Sequence, residues 1–151
     1  MRFRFVDRVI SFEDGERPTL VTTKSFSRSD EFIEGHPQRP GEIPNCLILE
    51  TLATAGAHLV YSCTAQQSVG LLLRVEEARI YFPVFPGEEV IVQTELLGLQ
   101  PEAHESVGLA RTNGFASVRS RKVAEARLVL LCFPKNGFEA AIPWQDLAKD
   151  I

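Results

Sequence analysis

The stretch NCLILETLATAGAHLVY, residues 45–61, decides the fold. It is rich in alanine and leucine, and its apolar residues fall on nearly every face when it is drawn as a helix. A helix that is apolar all round is typically buried. The strongly apolar part of the stretch, Cys46 to Val60, is interrupted by Glu50 and His58, and it is too short and too polar at those points to span a bilayer. We predict one long core helix here, with Asn45 as its N-cap.

Strand-like segments lie on both sides of this helix. Two precede it and predict a hairpin, and three or four long ones follow it. Runs of strands beside a single helix indicate an α+β protein and not a parallel βαβ sheet. One antiparallel sheet wrapped around one helix is the arrangement called a hotdog fold. The predicted strands are Phe3–Phe12, Thr19–Phe26, Val69–Phe82, Glu89–Leu97, Val107–Val118 and Val123–Phe133; Glu31–Gly35 is predicted as a helical turn, Trp144–Lys149 as a short helix, and Gly35–Asn45, Pro101–Glu105 and Arg119–Lys122 as loops or turns.

Length and composition exclude several classes of protein. The 151 residues, 44% of them hydrophobic, predict one globular domain over residues 1–151 that needs neither disulfides nor a metal to fold. A net charge of −4 argues against nucleic acid as a partner. Cys46, Cys63 and Cys132 are widely spaced and form no CxxC pair, so no zinc site is predicted. Without an apolar N-terminal segment, the sequence favours a cytoplasmic protein with reduced thiols and no membrane partner.

Two titratable residues near the start of the predicted helix are candidates for chemistry. Glu50 is the only carboxylate between Ile43 and Gly70. If buried, it would favour the protonated form that a general acid needs; the alternative is a place on an exposed strip of the helix. His36 lies in the proline-rich loop before the helix, either solvated or beside the N-terminal amides, which can polarise a carbonyl. A histidine, a carboxylate and amide donors suit proton transfer next to a carbonyl.

These residues resemble a known family. GHPQRP at 35–40 and PNCLILE at 44–50, with 14 positions from His36 to Glu50, look like the active-site segment of the 3-hydroxyacyl-acyl-carrier-protein dehydratases of type II fatty acid synthesis. Two departures are present, because Pro37 follows the histidine where that family has phenylalanine, and Asn45 replaces its helix-start glycine. Similar motifs extend over about residues 3–133: FVDRV at 5–9, EEARI at 76–80, PVFPGE at 83–88 and VAEA at 123–126.

The resemblance implies a hotdog-fold enzyme that dehydrates (3R)-3-hydroxyacyl thioesters on acyl carrier protein to trans-2-enoyl thioesters, without metal or redox cofactor. It implies that His36 is the base at C2 and that Glu50 protonates the departing C3 hydroxyl. The amides of Asn45 and Cys46 would bind the thioester oxygen as the substrate-binding residues. The two catalytic groups would come from different subunits of a homodimer, or of a trimer of dimers.

Two other functions stay open at this stage. One is a hotdog acyl-thioester hydrolase, which uses a carboxylate to direct water. The other is a non-catalytic acyl-thioester-binding protein, an alternative that the asparagine at position 45 motivates. An assay for reversible hydration and for released thiol distinguishes all three.

Several further side chains have two interpretations each. The leucines at 71–73 and Val84 either line an acyl tunnel or, as we prefer, belong to the core. The basic cluster Arg119, Arg121 and Lys122 either meets an acidic carrier protein or its phosphopantetheine phosphate, or is a solvated turn. His58 is expected to be a hydrogen-bonded core histidine, and Cys46 is not expected to act as a nucleophile.

Overall fold

The computed structural model describes residues 4–30, 33, 41–100 and 108–136. One helix packs against a single six-stranded antiparallel sheet with the strand order β1-β2-β4-β5-β6-β3. This confirms the predicted α+β arrangement of one sheet around one helix. The elements are β1 (Arg8–Glu13), β2 (Thr19–Ser25), α1 (Asn45–Cys63), β3 (Ser68–Ile80), β4 (Glu89–Gln100), β5 (Gly108–Val118) and β6 (Arg121–Pro134).

Most predicted strands lie within a few residues of the observed ones, and the largest difference is at β1. That strand begins at Arg8 and not at Phe3. The Asp7 carboxylate accepts hydrogen bonds from the Ser25 N–H at 2.8 Å and from Lys24 Nζ at 3.1 Å, which anchors the chain just before the strand. The predicted loop at Pro101–Glu105 and the helix at Trp144–Lys149 lie outside the described residues, as does the turn at Glu31–Gly35 except for helical Ile33.

The start of α1 differs from the prediction. Pro44, and not Asn45, is the N-cap, and it makes no side-chain capping hydrogen bond. Its φ of −54° is the angle that the proline ring imposes. The Pro44 carbonyl accepts a hydrogen bond from the Leu47 N–H at 2.9 Å, and the proline is buried, so packing holds the helix start in place of a polar cap.

α1 is longer than expected, at 19 residues. By length and composition alone it could cross a membrane, but the core helix of a globular protein passes the same test. Here one face is buried against the sheet, through residues such as Ile48, Leu52 and Leu59. Glycines permit this close approach: a Cβ on Gly56 would lie 3.1 Å from the Thr112 hydroxyl oxygen. The prediction that the helix is too short for a span is therefore wrong. Its packing against the sheet as a core helix is confirmed, whereas the expected burial on nearly every face is wrong for the single chain, because only one face meets the sheet.

β3 lies at one edge of the sheet and pairs, among the described strands, with β6 alone. Every residue from Leu71 to Ile80 is exposed in the single chain, and Leu73 is 53% exposed. The preferred interpretation of Leu71, Leu72 and Leu73 as core residues is therefore wrong for the single chain, since an edge strand has no second neighbour to cover it. Val84, at 2% exposed, is a core residue as predicted.

Candidate active site

The helix N-terminus is fixed by the connection between β3 and β4. The Ile43 N–H donates a hydrogen bond to the Val84 carbonyl at 2.8 Å, and both residues are buried. Pro44 then allows no freedom in φ, so the first turn of α1 has a defined direction. The connection between β3 and β4 thus places the helix N-terminus relative to the sheet.

Asn45 and Cys46 form the first turn of α1, and both are exposed. The backbone N–H groups at the start of a helix have no acceptor within it, and the helix dipole adds partial positive charge there. A carbonyl oxygen that gains negative charge during a reaction would be stabilised at this position. Both residues predicted to bind substrate therefore lie where their amides can do so.

Glu50 lies about one helical turn, roughly 6 Å along the axis, beyond these amides. Its side chain is exposed, so the expectation that it is buried is wrong for the single chain. The reason is the helix spacing: α1 has an uncovered strip of residues three or four apart, and Glu50 lies on it. The strip consists of Cys46, Glu50, Thr54, Ala57, His58 and Tyr61.

The uncovered strip is continuous with the edge strand. A Cβ on Gly70 of β3 would lie 3.2 Å from the Cα of Ala57, which brings the two backbones together in the middle of the strip. Leu72, two residues further along β3, lies on the same face of the sheet as Gly70 and is 40% exposed. We call the strip of α1 together with Leu72 the open face. It combines a carboxylate with apolar side chains in one uncovered surface.

His36 lies outside the described residues, so its predicted role next to Glu50 stays a prediction. His58 is described, and its interpretation as a core histidine is wrong, because it lies on the open face. Neighbouring atoms nevertheless shield its ring from water and lower its pKa below the ordinary value. Among the described residues, no group of three or more His, Cys, Asp or Glu side chains is arranged to hold a metal ion.

The basic cluster spans the turn between β5 and β6 and the start of β6, at the same end of the sheet as the helix start. Lys122 forms an ion pair with Glu125 at 2.7 Å, and together with a hydrogen bond from Tyr81 it lowers the pKa of that carboxyl. The Arg121 guanidinium stacks on the Phe82 ring. The predicted four-residue turn is shorter than expected, since only Arg119 and Ser120 separate the two strands.

This architecture, with an acidic residue and helix-start amides at one end of a sheet-wrapped helix, defines a hotdog-fold protein. A hot-dog-like protein from Thermanaerovibrio acidaminovorans has the same fold, with a TM-score of 0.60 at 15% identity over 85% of this chain and 89% of that one. The FabA-like domain family matches residues 1–127. The chain belongs to the FabA-like family.

Two relatives in this family carry one name. Over 132 residues the chain is 33% identical to the 3-hydroxyacyl-acyl-carrier-protein dehydratase FabZ of Tolumonas auensis, covering 84% of this chain and 83% of the relative. Over 151 residues it is 34% identical to the dehydratase of the same name from Yersinia enterocolitica, covering 97% and 83%. The family resemblance and the hotdog fold predicted from the motifs are confirmed.

Proposed function

We propose that this protein is a hydro-lyase that dehydrates (3R)-3-hydroxyacyl thioesters, bound to acyl carrier protein, to trans-2-enoyl thioesters in fatty acid biosynthesis. The observation that carries the proposal is Glu50, an exposed carboxylate one turn past the first-turn amides of Asn45 and Cys46 in a chain of the FabA-like family. The relatives' shared name gives the reaction class. We place the protein in the cytoplasm, with neither nucleic acid nor membrane as a partner.

The proposed chemistry is one proton removed and one delivered. His36 takes the proton from C2, the electron pair forms the C2–C3 double bond, and Glu50 protonates the hydroxyl that leaves C3 as water. The amides of Asn45 and Cys46 stabilise the negative charge that develops on the thioester oxygen. No metal or redox cofactor is needed, because the reaction moves protons and no net electrons.

The proposed enzyme is a homodimer or a trimer of dimers. Exposed apolar surface rimmed by polar residues is typical of an interaction site, and the open face and β3 have this character. A second copy that joins its own β3 to this edge would continue the sheet and cover the leucines of both strands. It would also enclose Glu50 and supply the catalytic partner from the other subunit.

One assay on the purified chain tests the reaction against its two alternatives. With a crotonyl thioester, the dehydratase hydrates the double bond reversibly and releases no thiol. Released thiol would instead indicate a hydrolase, and binding without any turnover would indicate a non-catalytic protein. His36→Ala should abolish hydration and leave the folded state intact; retained activity would remove His36 from the mechanism.

Mixing two inactive variants tests the shared site. His36→Ala and Glu50→Gln chains, unfolded together and refolded at equal amounts, should regain about a quarter of wild-type activity if each site takes one residue from each subunit, because half of the dimers are mixed and each has one intact site. Each variant refolded alone is the control. No recovery from the mixture would mean that one chain supplies both residues.

A further inference from the structure

A small pocket lies beside the loop that fixes the helix start. It has a volume of about 300 Å³, and its lining combines apolar and aromatic side chains with two guanidinium groups and one carboxylate, which we call the charged rim. The lining residues are Phe82, Pro83, Phe85, Glu88, Val118, Arg119, Arg121 and Val123. Val84, inside this lining segment, is the residue whose carbonyl binds Ile43, so the pocket adjoins the proposed thioester site.

Arg121 is held in place by an aromatic ring. Its guanidinium carbon lies 3.2 Å from the centroid of the Phe82 ring, a stacked cation–π contact. Stacking leaves the edges of the guanidinium, with its N–H groups, available to an anion. In the described part of the chain, no carboxylate forms an ion pair with Arg121.

Arg119 is held at the rim by an unfavourable turn. Arg119 and Ser120 have φ values of 49° and 64°, and Val118 pairs with Arg121 across them, so they form a two-residue hairpin turn. Such turns favour Asn-Gly, because both central residues need positive φ. Residues held in a disfavoured conformation concentrate at functional positions. Over the described residues, Arg119 also has no carboxylate in ion-pair contact.

The third charged group of the pocket, the Glu88 carboxylate, disfavours the binding of an anion. Glu88 lines the pocket, and its Oε2 accepts a hydrogen bond from the Phe85 N–H at 2.9 Å. That bond fixes the carboxylate against its own loop, but its charge still lowers the affinity of any anion in the pocket. Two guanidinium groups against one carboxylate leave a net positive rim.

We infer that this pocket binds the phosphate at the end of the pantetheine arm, with Arg119 and Arg121 as its two ligands. The inference rests on the proposed function, which places an acyl thioester at the adjoining helix start. The arm is largely uncharged and ends in a phosphate, and a pocket with apolar walls and a cationic rim is complementary to both parts. The same phosphate occurs in a carrier protein and in coenzyme A, so the chemistry recognised is shared by both.

Binding to the full chain, measured by calorimetry without turnover, tests the inference. The wild type should bind 4′-phosphopantetheine about tenfold more tightly than pantetheine, the advantage of one charge-assisted contact. In the double variant Arg119→Asn/Arg121→Gln, the affinities for 4′-phosphopantetheine and for pantetheine should lie within about twofold of each other. Asparagine suits the turn, so this variant should fold. Equal binding by the wild type, or an unchanged preference in the variant, would overturn the inference.

Three matched variants separate charge from structure. Ser120→Gly improves the turn without changing charge and should keep the tenfold preference, and so should Arg17→Ala, which removes an exposed arginine elsewhere, paired with Glu95. Glu88→Gln keeps an acceptor for the Phe85 N–H and should strengthen the preference for phosphate. A weaker preference in Glu88→Gln would contradict the assignment of the pocket.

Kinetics distinguish a phosphate on the carrier protein from one in coenzyme A. They also distinguish failure of the phosphate site from failure of the proposed function. In the double variant, KM should rise about tenfold for both the crotonyl-carrier and crotonyl-coenzyme A substrates, with kcat unchanged. An effect confined to coenzyme A would mean that the arginines bind its nucleotide, which overturns the inference. If the wild type prefers 4′-phosphopantetheine but never hydrates a crotonyl thioester, the proposed function fails and the phosphate site stands.

Discussion

Gly70 of β3 lies directly against Ala57 of α1. A Cβ at position 70 would come within 3.2 Å of the Ala57 Cα and 3.4 Å of the Leu130 Cδ1. The first of these atoms is backbone and cannot rotate away. The absence of a side chain at Gly70 therefore allows the helix to approach the edge strand closely. This close approach joins the helix part of the open face to β3.

Gly70→Ala should lower the free energy of unfolding by about 1–3 kcal/mol, because the added methyl must push the helix away from the strand. Urea denaturation of the variant measures the loss. Gly98→Ala is the matched control, since a Cβ at that position in β4 would meet no atom within 4 Å. Equal free energies of unfolding for the two variants would show that the close approach of Gly70 to Ala57 does not contribute to stability.

Three buried hydroxyl groups face the helix without hydrogen-bond partners among the described residues: those of Thr22, Thr94 and Thr112. Each residue is at most 1% exposed. Replacing a single one with valine keeps the shape and removes an unsatisfied polar group, so each variant should gain about 1 kcal/mol in unfolding free energy. Thermal and urea unfolding measure the gain.

Thr51→Val provides the contrast for these variants. The Thr51 side chain is equally buried, but its hydroxyl donates a hydrogen bond to the Leu47 carbonyl at 2.8 Å. Removing a satisfied hydroxyl should give no gain in stability. A comparable gain at Thr51 and at the three sheet positions would mean that the benefit comes from apolar volume and not from relief of an unpaired group.

Glu50→Gln should abolish hydration of a crotonyl thioester without lowering the free energy of unfolding, because a neutral amide costs less than a carboxylate to enclose at the proposed subunit interface. Steady-state assays and urea denaturation measure the two effects. Glu16→Gln, at an exposed turn in the first hairpin, should alter neither. A large loss of stability with hydration intact would make the role of Glu50 structural, and intact hydration at unchanged stability would remove Glu50 from the mechanism.

His58 should make stability depend on pH on the acid side. Partial shielding of its ring from water lowers its pKa below the ordinary 6.5, so the unfolded chain binds a proton at higher pH than the folded chain does. Its contribution to stability is therefore complete above pH 6.5 and is lost as the pH falls through the folded pKa. His58→Gln should lose less stability than the wild type between pH 7.5 and pH 5.5. Equal losses in urea denaturation would contradict this assignment.

The fold was predictable because local patterns agree with it. The apolar stretch at 45–61 and the strand-like runs after residue 68 need no long-range information to be recognised. The start of α1 was missed for a tertiary reason. Asn45 is a good cap by type, but the buried Pro44 and the Ile43–Val84 hydrogen bond decide where the helix begins. Neither contact can be found from residue types along the chain.

The position of Glu50 on the helix was predictable from the sequence, and its exposure was not. The sequence singles out Glu50 as the lone carboxylate of an apolar helix, and this is the residue that the exposed strip presents. Its exposure, like that of Leu71–Leu73, depends on strand order, which places β3 at the edge. Strand order depends on pairing between distant segments, so a leucine-rich strand has the same sequence whether it becomes central or peripheral.

The edge position of β3 has a consequence for how the protein works in a cell. If a second copy completes the open face, which carries Glu50 and Leu72, a newly made chain is inactive and prone to associate until it meets another copy. Total activity then falls more steeply than the protein concentration when the protein is diluted, because a smaller fraction of the chains is assembled. Synthesis level would thus govern not only how much enzyme is present but what share of it turns over.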